Sequence, residues 1–321
     1  MLNLTLRQLR TLIAISRHRK ISHAASALGL TSPAVTLQLQ QIESELRAQL
    51  FIREKTGVIT TEMGKIVLEH ARIILSNLEA LQQAVDAFHG LNAGTIRLGV
   101  VSTGKYFAPR AIAAFAKKYP EIEIKLFAGN RTEIIRRLRE HEIDIALMGR
   151  SPRDFAVKST IVGDHPHVFI ANPGHPLANE LDIDPQELAK HRFITREQGS
   201  GTRSMFELFM AEVSGGLQHA PVEMDSNETI KQAVAADLGI AFLSGHTIEQ
   251  ELESQKLIIL DVKGTPIRRH WFVVHAANRA ATPAMDAFEM FMFENGKRLL
   301  PLIGKPESAN AIHQVGSPDH D

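Results

Sequence analysis

The sequence contains no cysteine among its 321 residues, one tryptophan and two tyrosines. Without thiols the chain can form neither disulfide bonds nor thiolate sites for zinc or iron–sulfur clusters. No apolar run approaches the roughly 18 residues that a membrane-spanning helix needs. Arg7, Gln8 and Arg10 stand where a secretory signal would need its apolar core. We therefore expect a cytoplasmic protein that does not act at a membrane.

The chain also lacks net charge, because its 36 basic side chains are balanced by 36 acidic ones. The balance is uneven along the chain: residues 1–60 contain eight lysines and arginines but three acidic residues. A local excess of this kind attracts the phosphates of nucleic acid to one segment and not to the whole protein. Residues 1–60 are therefore the candidate nucleic-acid-binding part of the chain.

A helical pattern fills most of residues 1–60 and breaks at Gly29. Apolar residues recur at helical spacing over 21–28 before this glycine and over 33–46 after it. Two adjacent alanines in the first of these helices provide small side chains where two helices approach closely, which is typical of a helix-turn-helix. The segment that follows, LFIREKTGVIT, predicts two short strands, the shape of a wing. These patterns predict a winged helix-turn-helix that binds double-stranded DNA.

The helix after Gly29 has the features of a DNA-recognition helix. Its first turn holds a proline, which fits the start of a helix, and hydroxyl groups that can cap the helix or bind phosphate. An ordinary helical hairpin would share these features but would not need the basic excess around them. Helix residues would bind base edges and wing residues would bind phosphates or the minor groove. The residues predicted to contact DNA are Ser32, Pro33, Ala34, Thr36, Gln38, Gln40, Arg53 and Lys55.

Residues 62–88 contain no proline, and their apolar residues alternate steps of four and three. This 3.5-residue repeat is typical of helices that pair with a second copy, whereas a helix packed on its own domain usually keeps a broader stripe. We predict a dimerising linker helix over residues 61–90, ended by a glycine-containing hinge at 89–94. The alternative is a helix packed within its own chain. The predicted dimer contacts are Val67, Ala71, Ile74, Leu78, Leu81, Val85 and Phe88.

Strand and helix patterns alternate after residue 95. They read as βαβαβ over 95–148 and resume with further units between 167 and 275, before a final helix over 282–299. So many units predict two α/β lobes within a domain spanning 91–303. The predicted lobe I comprises about 95–165 and 266–303, and lobe II about 166–265. The polar segment 304–321 is predicted to be a disordered tail.

Two glycine-containing segments stand where a strand leads into a helix. The first is Ser102-Thr103-Gly104, and the second is Gly199-Ser200-Gly201-Thr202-Arg203. Helix N-termini present free N–H groups, glycine permits close approach of the backbone, and a guanidinium adds charged donors, so these segments predict an anion site. Either segment alone could be a simple strand-to-helix turn. Their occurrence in both lobes favours a small anionic ligand between the lobes.

Catalytic and metal-binding patterns are weak in this sequence. His165 and His167 form a sparse metal signal that fits strand-edge histidines better, and no HExxH motif or carboxylate cluster accompanies them. Ser102 and Ser200 have no histidine and carboxylate arranged as a nucleophile would need. We therefore predict neither an enzyme nor a metal site, and no catalytic residue.

The N-terminal motifs LRQLRTLIAI, HAASALGL, SPAVT and LFIRE resemble the winged helix-turn-helix of LysR-type transcriptional regulators. Ser32 and Leu37 stand where glutamine and arginine are frequent in that family. The C-terminal segments VSTGKYFAPR, GNR, DIALMGR, HPHVFIANPGHPL, REQGSGTR, SNETIKQAV and GIAFLS are similar to those of its CbbR-type subgroup, activators of Calvin-cycle carbon-fixation operons.

This resemblance implies an N-terminal all-α winged helix-turn-helix with a long linker helix, followed by a C-terminal two-lobed α/β effector domain of the periplasmic-binding type. It implies a dimer-built homotetramer that binds promoter DNA and RNA polymerase and holds no cofactor. The implied effector is NADPH or a phosphorylated carbon-cycle metabolite. With the residues found above, the implied effector-binding set is Ser102, Thr103, Gly104, Asn130, Arg131, Gly149, Ser200, Gly201, Thr202, Arg203, Asn227, Glu228 and Thr229.

Three alternatives remain open at this point. A LysR-type regulator could serve sulfur, nitrogen or aromatic-compound genes. A solute-binding protein would share the two lobes, but it would carry an export signal and has no use for the basic N-terminal segment. An enzyme acting on a phosphorylated substrate would explain the glycine-containing helix starts, but it should supply an acid–base pair.

Overall fold

The computed structural model of the chain describes residues 2–88, 94–301 and 303. Most of the predicted hinge, residues 89–93, and the predicted disordered tail, 304–321, lie outside these described residues. Within them, no helix is long and apolar enough to cross a membrane.

The N-terminal domain forms the predicted winged helix-turn-helix. Its elements are α1 (Leu6–His18), α2 (Ile21–Leu28), α3 (Ser32–Leu46), β1 (Phe51–Glu54) and β2 (Gly57–Thr60). Gly29 ends α2 at φ 64°, a left-handed conformation that glycine adopts without strain. Gly57 turns the hairpin at φ 146°, and a Cβ atom there would lie 2.2 Å from the Arg19 carbonyl oxygen. Glycine is therefore required where the wing contacts the turn between α1 and α2.

A long helix, α4 (Glu62–Phe88), leads from the wing to the C-terminal domain. That domain contains β3 (Gly94–Val101), α5 (Ala108–Lys118), β4 (Ile122–Gly129), α6 (Arg131–Arg139), β5 (Ile145–Met148), β6 (Val157–Ala171), α7 (Pro185–Leu188), β7 (Phe193–Arg196), α8 (Gly201–Met210), β8 (Val222–Met224), α9 (Asn227–Ala235), β9 (Ile240–Ser244), α10 (Glu249–Glu253), β10 (Ile258–Ile259), β11 (Ile267–Ala276) and α11 (Pro283–Leu299).

The strands of the C-terminal domain form one continuous path in the order β4-β3-β5-β11-β6-β9-β7-β8, with β10 beside β6. Strands β3, β4 and β5 are parallel at one end, and β7, β8 and β9 are parallel at the other. The antiparallel strands β6 and β11 run between the two ends. Separate apolar cores surround Phe107 and Phe115 on one side and Phe169 and Phe193 on the other. The predicted two-lobed α/β architecture is confirmed.

Two elements differ from the sequence-based expectation. Strand β6 begins at Val157, ten residues before the strand expected from 167. Gly163, Asp164 and Pro166 interrupt its apolar pattern, but pairing with β11 supplies the hydrogen bonds that local propensity does not favour. The first helix of this domain, α5, forms as expected, but a short 3₁₀ turn over Ser102–Tyr106 precedes it and was not expected.

A buried cluster of charges connects α4 to lobe I. The Asp144 carboxylate accepts hydrogen bonds from the Arg97 backbone N–H, at 2.6 Å, and from the Arg97 guanidinium, at 2.8 Å from Nη2. It also pairs with Arg279 at 2.5 Å. Arg97 Nη2 lies 2.7 Å from a carboxylate oxygen of Glu79 on α4. Burial lowers the pKa of Arg279, while the Asp144 charge opposes this shift. One buried carboxylate therefore holds two guanidinium groups beside the linker helix.

Replacing Asp144 with alanine should lower the free energy of unfolding by about 3–5 kcal/mol, because it leaves buried guanidinium groups without their carboxylate. The matched control is Glu294→Ala, which removes a half-exposed carboxylate 3.8 Å from Lys118 and should cost less than about 1 kcal/mol. Denaturant unfolding of the full chain measures both. Equal losses in the two variants would contradict the structural role of the cluster.

Candidate functional site

The outward face of α3 is exposed to solvent. Thr31 caps the helix, its Oγ1 accepting from the Ala34 N–H at 3.4 Å, and Val35 and Leu39 pack into the domain core. The opposite face is exposed and carries Pro33, Leu37, Gln40, Gln41 and Ser44. An exposed helical face of mixed polar and apolar side chains can contact both the donors and the methyl groups of base edges.

The residues predicted to bind DNA do not all lie on that face. Pro33 and Gln40 are exposed, whereas Ser32, Ala34 and Thr36 are half-buried. Gln38 turns inward, and its Oε1 accepts a hydrogen bond from Thr11 Oγ1 at 2.7 Å. This bond connects α3 to α1, so Gln38 positions the helix. The exposed Leu37 is a candidate that the sequence reasoning did not include.

The wing lies beside α3 and presents its two predicted basic residues. Arg53 and Lys55 are both exposed. The Glu43 carboxylate on α3 accepts hydrogen bonds from the backbone N–H groups of Leu50, at 2.7 Å, and Phe51, at 3.2 Å. These bonds fix the wing against the recognition helix, and a groove between the two elements is lined by Thr36, Gln40 and Arg53 among other residues.

The predicted dimer seam divides between two faces of α4. Ala71 is fully buried in its own chain, and Val67 packs against the N-terminal core, while Leu78 is half-buried. Ile74, Leu81, Val85 and Phe88 are exposed. A 3.5-residue repeat does not show which part of a helix packs on its own domain. The predicted dimer contacts therefore include residues packed within the chain as well as residues exposed on it. We call the exposed apolar residues Met63, Ile66, Ile74, Leu81 and Val85 the α4 stripe.

The predicted effector-binding segments follow the carboxyl ends of parallel strands. In lobe I they follow β3, β4 and β5, and in lobe II they follow β7 and β8. Ligands of open α/β sheets bind at such ends because the chain there turns away and leaves a crevice. Hydrogen bonds from Arg196 to Ser102 and from Thr132 to Gly199 place these ends against each other, so several of the predicted segments meet where the lobes join.

Direct contacts join the two lobes across this cleft. The Thr132 N–H of α6 donates to the Gly199 carbonyl oxygen at 3.4 Å. A Cβ atom at Gly201 would lie 3.4 Å from the Cδ atom of Arg131. The starts of α6 and α8 therefore face each other, capped by Asn130 and Ser200 respectively.

The centre of the contact is a residue that the sequence analysis did not select, Arg196 at the end of β7. Its side chain is 2% exposed. Its Nη2 donates across the cleft to Ser102 Oγ at 3.0 Å, and its Nη1 donates to Asn227 Oδ1. The Glu197 carboxylate accepts from Nε at 2.7 Å and from Nη2 at 2.9 Å. The available signal was an arginine at the end of the short strand FITR.

Arg203, the predicted anion-binding arginine, is held elsewhere. Its Nε donates to Glu207 at 2.7 Å, and its Nη1 donates to Glu223 and to the Arg196 carbonyl oxygen. Hydrogen bonds to Glu207 and Glu223 raise the pKa of Arg203. Both carboxylates are exposed, so Arg203 forms surface ion pairs beside α8. The structure does not bring its guanidinium into the cluster around Arg196.

A second polar contact between the lobes involves Glu228. The Tyr106 hydroxyl donates to Glu228 Oε1 at 2.5 Å, and Lys231 pairs with the other carboxylate oxygen at 3.0 Å. Burial raises the pKa of Tyr106 well above its usual range. Burial alone would raise the pKa of Glu228, but the hydrogen bonds from Tyr106 and Lys231 outweigh it and lower that pKa. The ionised Glu228 carboxylate can therefore accept both bonds and join the lobes. Thr229, the next residue, is exposed.

The histidines of β6 lie deep between the lobes, so their interpretation as strand-edge residues was wrong. His165 and His167 are 3% and 1% exposed, and the His165 ring stacks on Trp271 with centroids 3.9 Å apart. Burial lowers the pKa of His167 to about 3 and that of His246 to about 4, which keeps both neutral. Within the described ranges no group of three or more His, Cys, Asp or Glu residues could hold a metal.

The predicted residues Thr103 and Gly104 are buried, and Gly149 lies against His165. A Cβ atom at Gly149 would lie 2.6 Å from His165 Nδ1, so the position requires glycine. Thr202 is buried in the first turn of α8. Because Thr103 and Thr202 are buried, their side chains are not exposed for contact with a ligand.

A winged helix-turn-helix joined by a long helix to a two-lobed domain with a polar cleft defines a ligand-responsive DNA-binding regulator. Two family models match the chain: "Bacterial regulatory helix-turn-helix protein, lysR family" over residues 6–65, and "LysR substrate binding domain" over residues 89–296. The chain belongs to the LysR family of transcriptional regulators.

Full-length relatives support the same family. The "HTH-type transcriptional regulator CbbR" of Sinorhizobium medicae is 55% identical over 312 residues, covering 97% of this chain and all of the relative. The "HTH-type transcriptional regulator CfxR" of Cupriavidus necator is 39% identical, covering 92% of this chain and 93% of the relative. The predictions of a LysR-type, CbbR-like chain and of a regulator rather than an enzyme are confirmed.

Solved structures match both the effector domain and the whole chain. The Synechocystis PCC6803 CcmR regulatory domain in complex with 2-PG is 35% identical and has a TM-score of 0.61, covering 64% of this chain and 98% of that domain. A full-length OxyR variant from Pseudomonas aeruginosa has a TM-score of 0.71 at 20% identity, covering 94% and 99% of the two chains. The second likeness concerns the fold alone.

Proposed function

We propose that this protein is a cytoplasmic activator of a RuBisCO (Calvin-cycle) operon and that an anionic metabolite bound between its lobes controls it. The operon assignment is supported by the names of long relatives, including a "RuBisCO operon transcriptional regulator" of Allochromatium vinosum that is 38% identical over 303 residues. The effector assignment rests on one observation, the buried Arg196 guanidinium that joins the two lobes.

The chemistry around Arg196 favours a phosphorylated or carboxylated ligand. A guanidinium presents paired donors that match two oxygens of a carboxylate or phosphate, and the surrounding apolar lobes strengthen such charge-assisted bonds. Arg131 adds a second cation beside α8, because its Cδ atom would lie 3.4 Å from a Cβ atom at Gly201. Its guanidinium donates to the carbonyl oxygens of Arg150 and Ser151. Burial, followed by the Arg150 charge, lowers the pKa of Arg131. The 2-PG bound to CcmR and the NADPH expected from the resemblance both carry phosphate, and 2-PG is our first candidate.

A ligand in this cleft can change how the protein sits on DNA. It would contact Ser102 in lobe I and Arg196 in lobe II, so its affinity depends on the distance between the lobes. Lobe I is tied to α4 through Arg97 and Glu79, and Arg17 of α1 lies 3.8 Å from Glu142 of lobe I. Movement of lobe I would therefore reach the DNA-binding domain, and a changed DNA arrangement would alter access of RNA polymerase.

The α4 stripe is the surface that we propose for dimerisation. Its apolar residues are exposed in the single chain, and two copies packed along it would present paired recognition helices to two half-sites. Two such dimers would then form the homotetramer that the resemblance to the family implies.

DNA affinity and sequence discrimination should depend on different residues. Arg53→Ala removes a phosphate contact, so it should weaken promoter and random duplexes alike and reduce the slope of log affinity against log salt by about 1. Gln40→Ala should weaken the binding free energy for the promoter by about 1–3 kcal/mol and reduce the ratio of promoter affinity to random-DNA affinity. Fluorescence anisotropy at several salt concentrations measures both. Lys158→Ala, an exposed change in the effector domain, is the control, and an equal effect from it would refute the assignment.

The oligomer should dissociate when the α4 stripe is charged. Leu81 is 60% exposed in the single chain, and Leu81→Asp would bury an unpaired charge in a dimer contact. Analytical ultracentrifugation should show smaller species, and affinity for a two-half-site operator should fall because the half-sites are no longer linked. Gln82→Asp places the same charge at an exposed position off the stripe and should leave the assembly intact. An unchanged oligomer in Leu81→Asp would show that the stripe is not the dimer surface.

Effector binding should depend on Arg196 and not on Arg203. Arg196→Gln removes charge-assisted bonds worth about 1.5–3 kcal/mol, which is on the order of 10- to 150-fold in affinity. Arg203→Gln breaks surface ion pairs and should bind effector as the parent does. Calorimetric titration with 2-PG and NADPH, beside a melting curve, measures both variants. Parent-like affinity in a folded Arg196→Gln protein, or loss in Arg203→Gln, would overturn the proposed effector site.

A further inference from the structure

The Arg196 guanidinium already holds a carboxylate that belongs to the protein. Glu197 Oε2 lies 2.7 Å from Nε, and Glu197 Oε1 lies 2.9 Å from Nη2, so the carboxylate binds two donors of the fork. The other side-chain partners of Arg196, Ser102 and Asn227, are neutral. Among the described residues, Glu197 therefore supplies the carboxylate that balances the buried charge.

The loop after β7 is folded to bring this carboxylate back. Neighbouring side chains within a strand point to opposite faces. Glu197 can nevertheless reach Arg196, because β7 ends at Arg196 and Glu197 already lies in the loop that follows. The Ser200 N–H donates to the Glu197 carbonyl oxygen at 3.3 Å, which closes a turn. Gly199 in that turn has φ 83°, and a Cβ atom there would lie 2.9 Å from Thr132 Oγ1 in lobe I. The turn is thus fitted against the opposite lobe while it presents Glu197 to Arg196.

A ligand anion and this carboxylate need the same donors. Carboxylate and phosphate oxygens bind a guanidinium edge in the same two-point geometry that Glu197 uses. Two anions on one fork would repel each other in a site of low dielectric. The Glu197 side chain is 18% exposed whereas that of Arg196 is 2% exposed, so Glu197 has a path to solvent and Arg196 has none. The side chain that can leave is the glutamate.

We propose that Glu197 is a built-in competitor for the effector, a protein carboxylate that the effector anion displaces from Arg196. This inference rests on the effector site proposed above. Because effector binding includes the loss of the Glu197 contacts, the measured affinity is lower than the intrinsic affinity of Arg196 for the same anion. The turn that carries Glu197 lies against Thr132 of lobe I, so the exchange of anions takes place at the contact between the lobes.

The decisive variant is Glu197→Gln, which keeps the shape of the side chain and removes its charge. We expect it to bind 2-PG more tightly than the parent, by about tenfold, because the competing anion is gone. Inorganic phosphate, which carries none of the effector's other groups, should also gain affinity. Glu207→Gln is the matched control, because Glu207 pairs with Arg203 and not with Arg196. This variant should bind 2-PG with the affinity of the parent.

Whether Glu197→Gln gains or loses affinity for 2-PG distinguishes a competing Glu197 from one that helps to bind the effector. If Glu197 instead orients Arg196 for the effector, Glu197→Gln would bind 2-PG more weakly than the parent or equally well, and the competitor role would be wrong. A melting curve should show a lower transition temperature for Glu197→Gln alone and a larger upward shift on adding 2-PG than in the parent. The proposed effector site fails separately, if a folded Arg196→Gln protein still binds 2-PG normally.

Discussion

A guanidinium buried between two lobes is the constraint on which the effector half of this protein depends. Arg196 is placed there because it ends β7, a short strand among the parallel strands of lobe II. Its charge must be balanced and its donors must be bonded, since an unpaired buried charge is strongly destabilising. The protein meets both needs with residues from each lobe, Ser102 from lobe I and Asn227 and Glu197 from lobe II. The same donors are what an anionic ligand would use.

The cleft is connected to the DNA-binding domain by buried charges and not by apolar contacts alone. Asp144 holds Arg97 and Arg279, and Glu79 of α4 contacts both guanidinium groups. The Asp144–Arg279 pair is buried within lobe I, and the half-exposed Glu79 carboxylate attaches α4 to it. The ion pair of Arg17 with lobe I is longer and exposed on the arginine side, which suits a contact that changes. A signal from the cleft would thus pass through lobe I to α4 and the recognition helices.

Much of the architecture could be predicted because its signals are local. Gly29, the proline in the first turn of α3 and the glycine of the wing each mark a backbone conformation that few other residues adopt. The alternation of strands and helices is also a local signal, and it predicted the two lobes. The first half of β6 was missed because its residues disfavour a strand, and its formation depends on partners in β11, from Pro166 paired with Arg268 to Val157 paired with Ala276, far away in the sequence.

The site was predicted less completely than the fold, because side-chain direction is a tertiary property. The pattern at 199–203 correctly located a helix start, but a sequence cannot show that Arg203 turns to Glu207 and Glu223 while Arg196 turns into the cleft. The apolar repeat of α4 was real, but it did not show that Ala71 packs inward while Leu81 faces solvent. Glu223 lies on another element than Arg203, and Ser102 lies in the other lobe from Arg196.

The central claim is that Arg196 binds the effector anion in place of a protein carboxylate, and a crystal structure of the full chain with 2-PG tests it most directly. We expect an anionic group of 2-PG within hydrogen-bond distance of the Arg196 guanidinium and of Ser102 Oγ, with the Glu197 carboxylate turned toward solvent. A structure in which 2-PG binds elsewhere, while Arg196 keeps its bonds to Glu197 and Ser102, would contradict it.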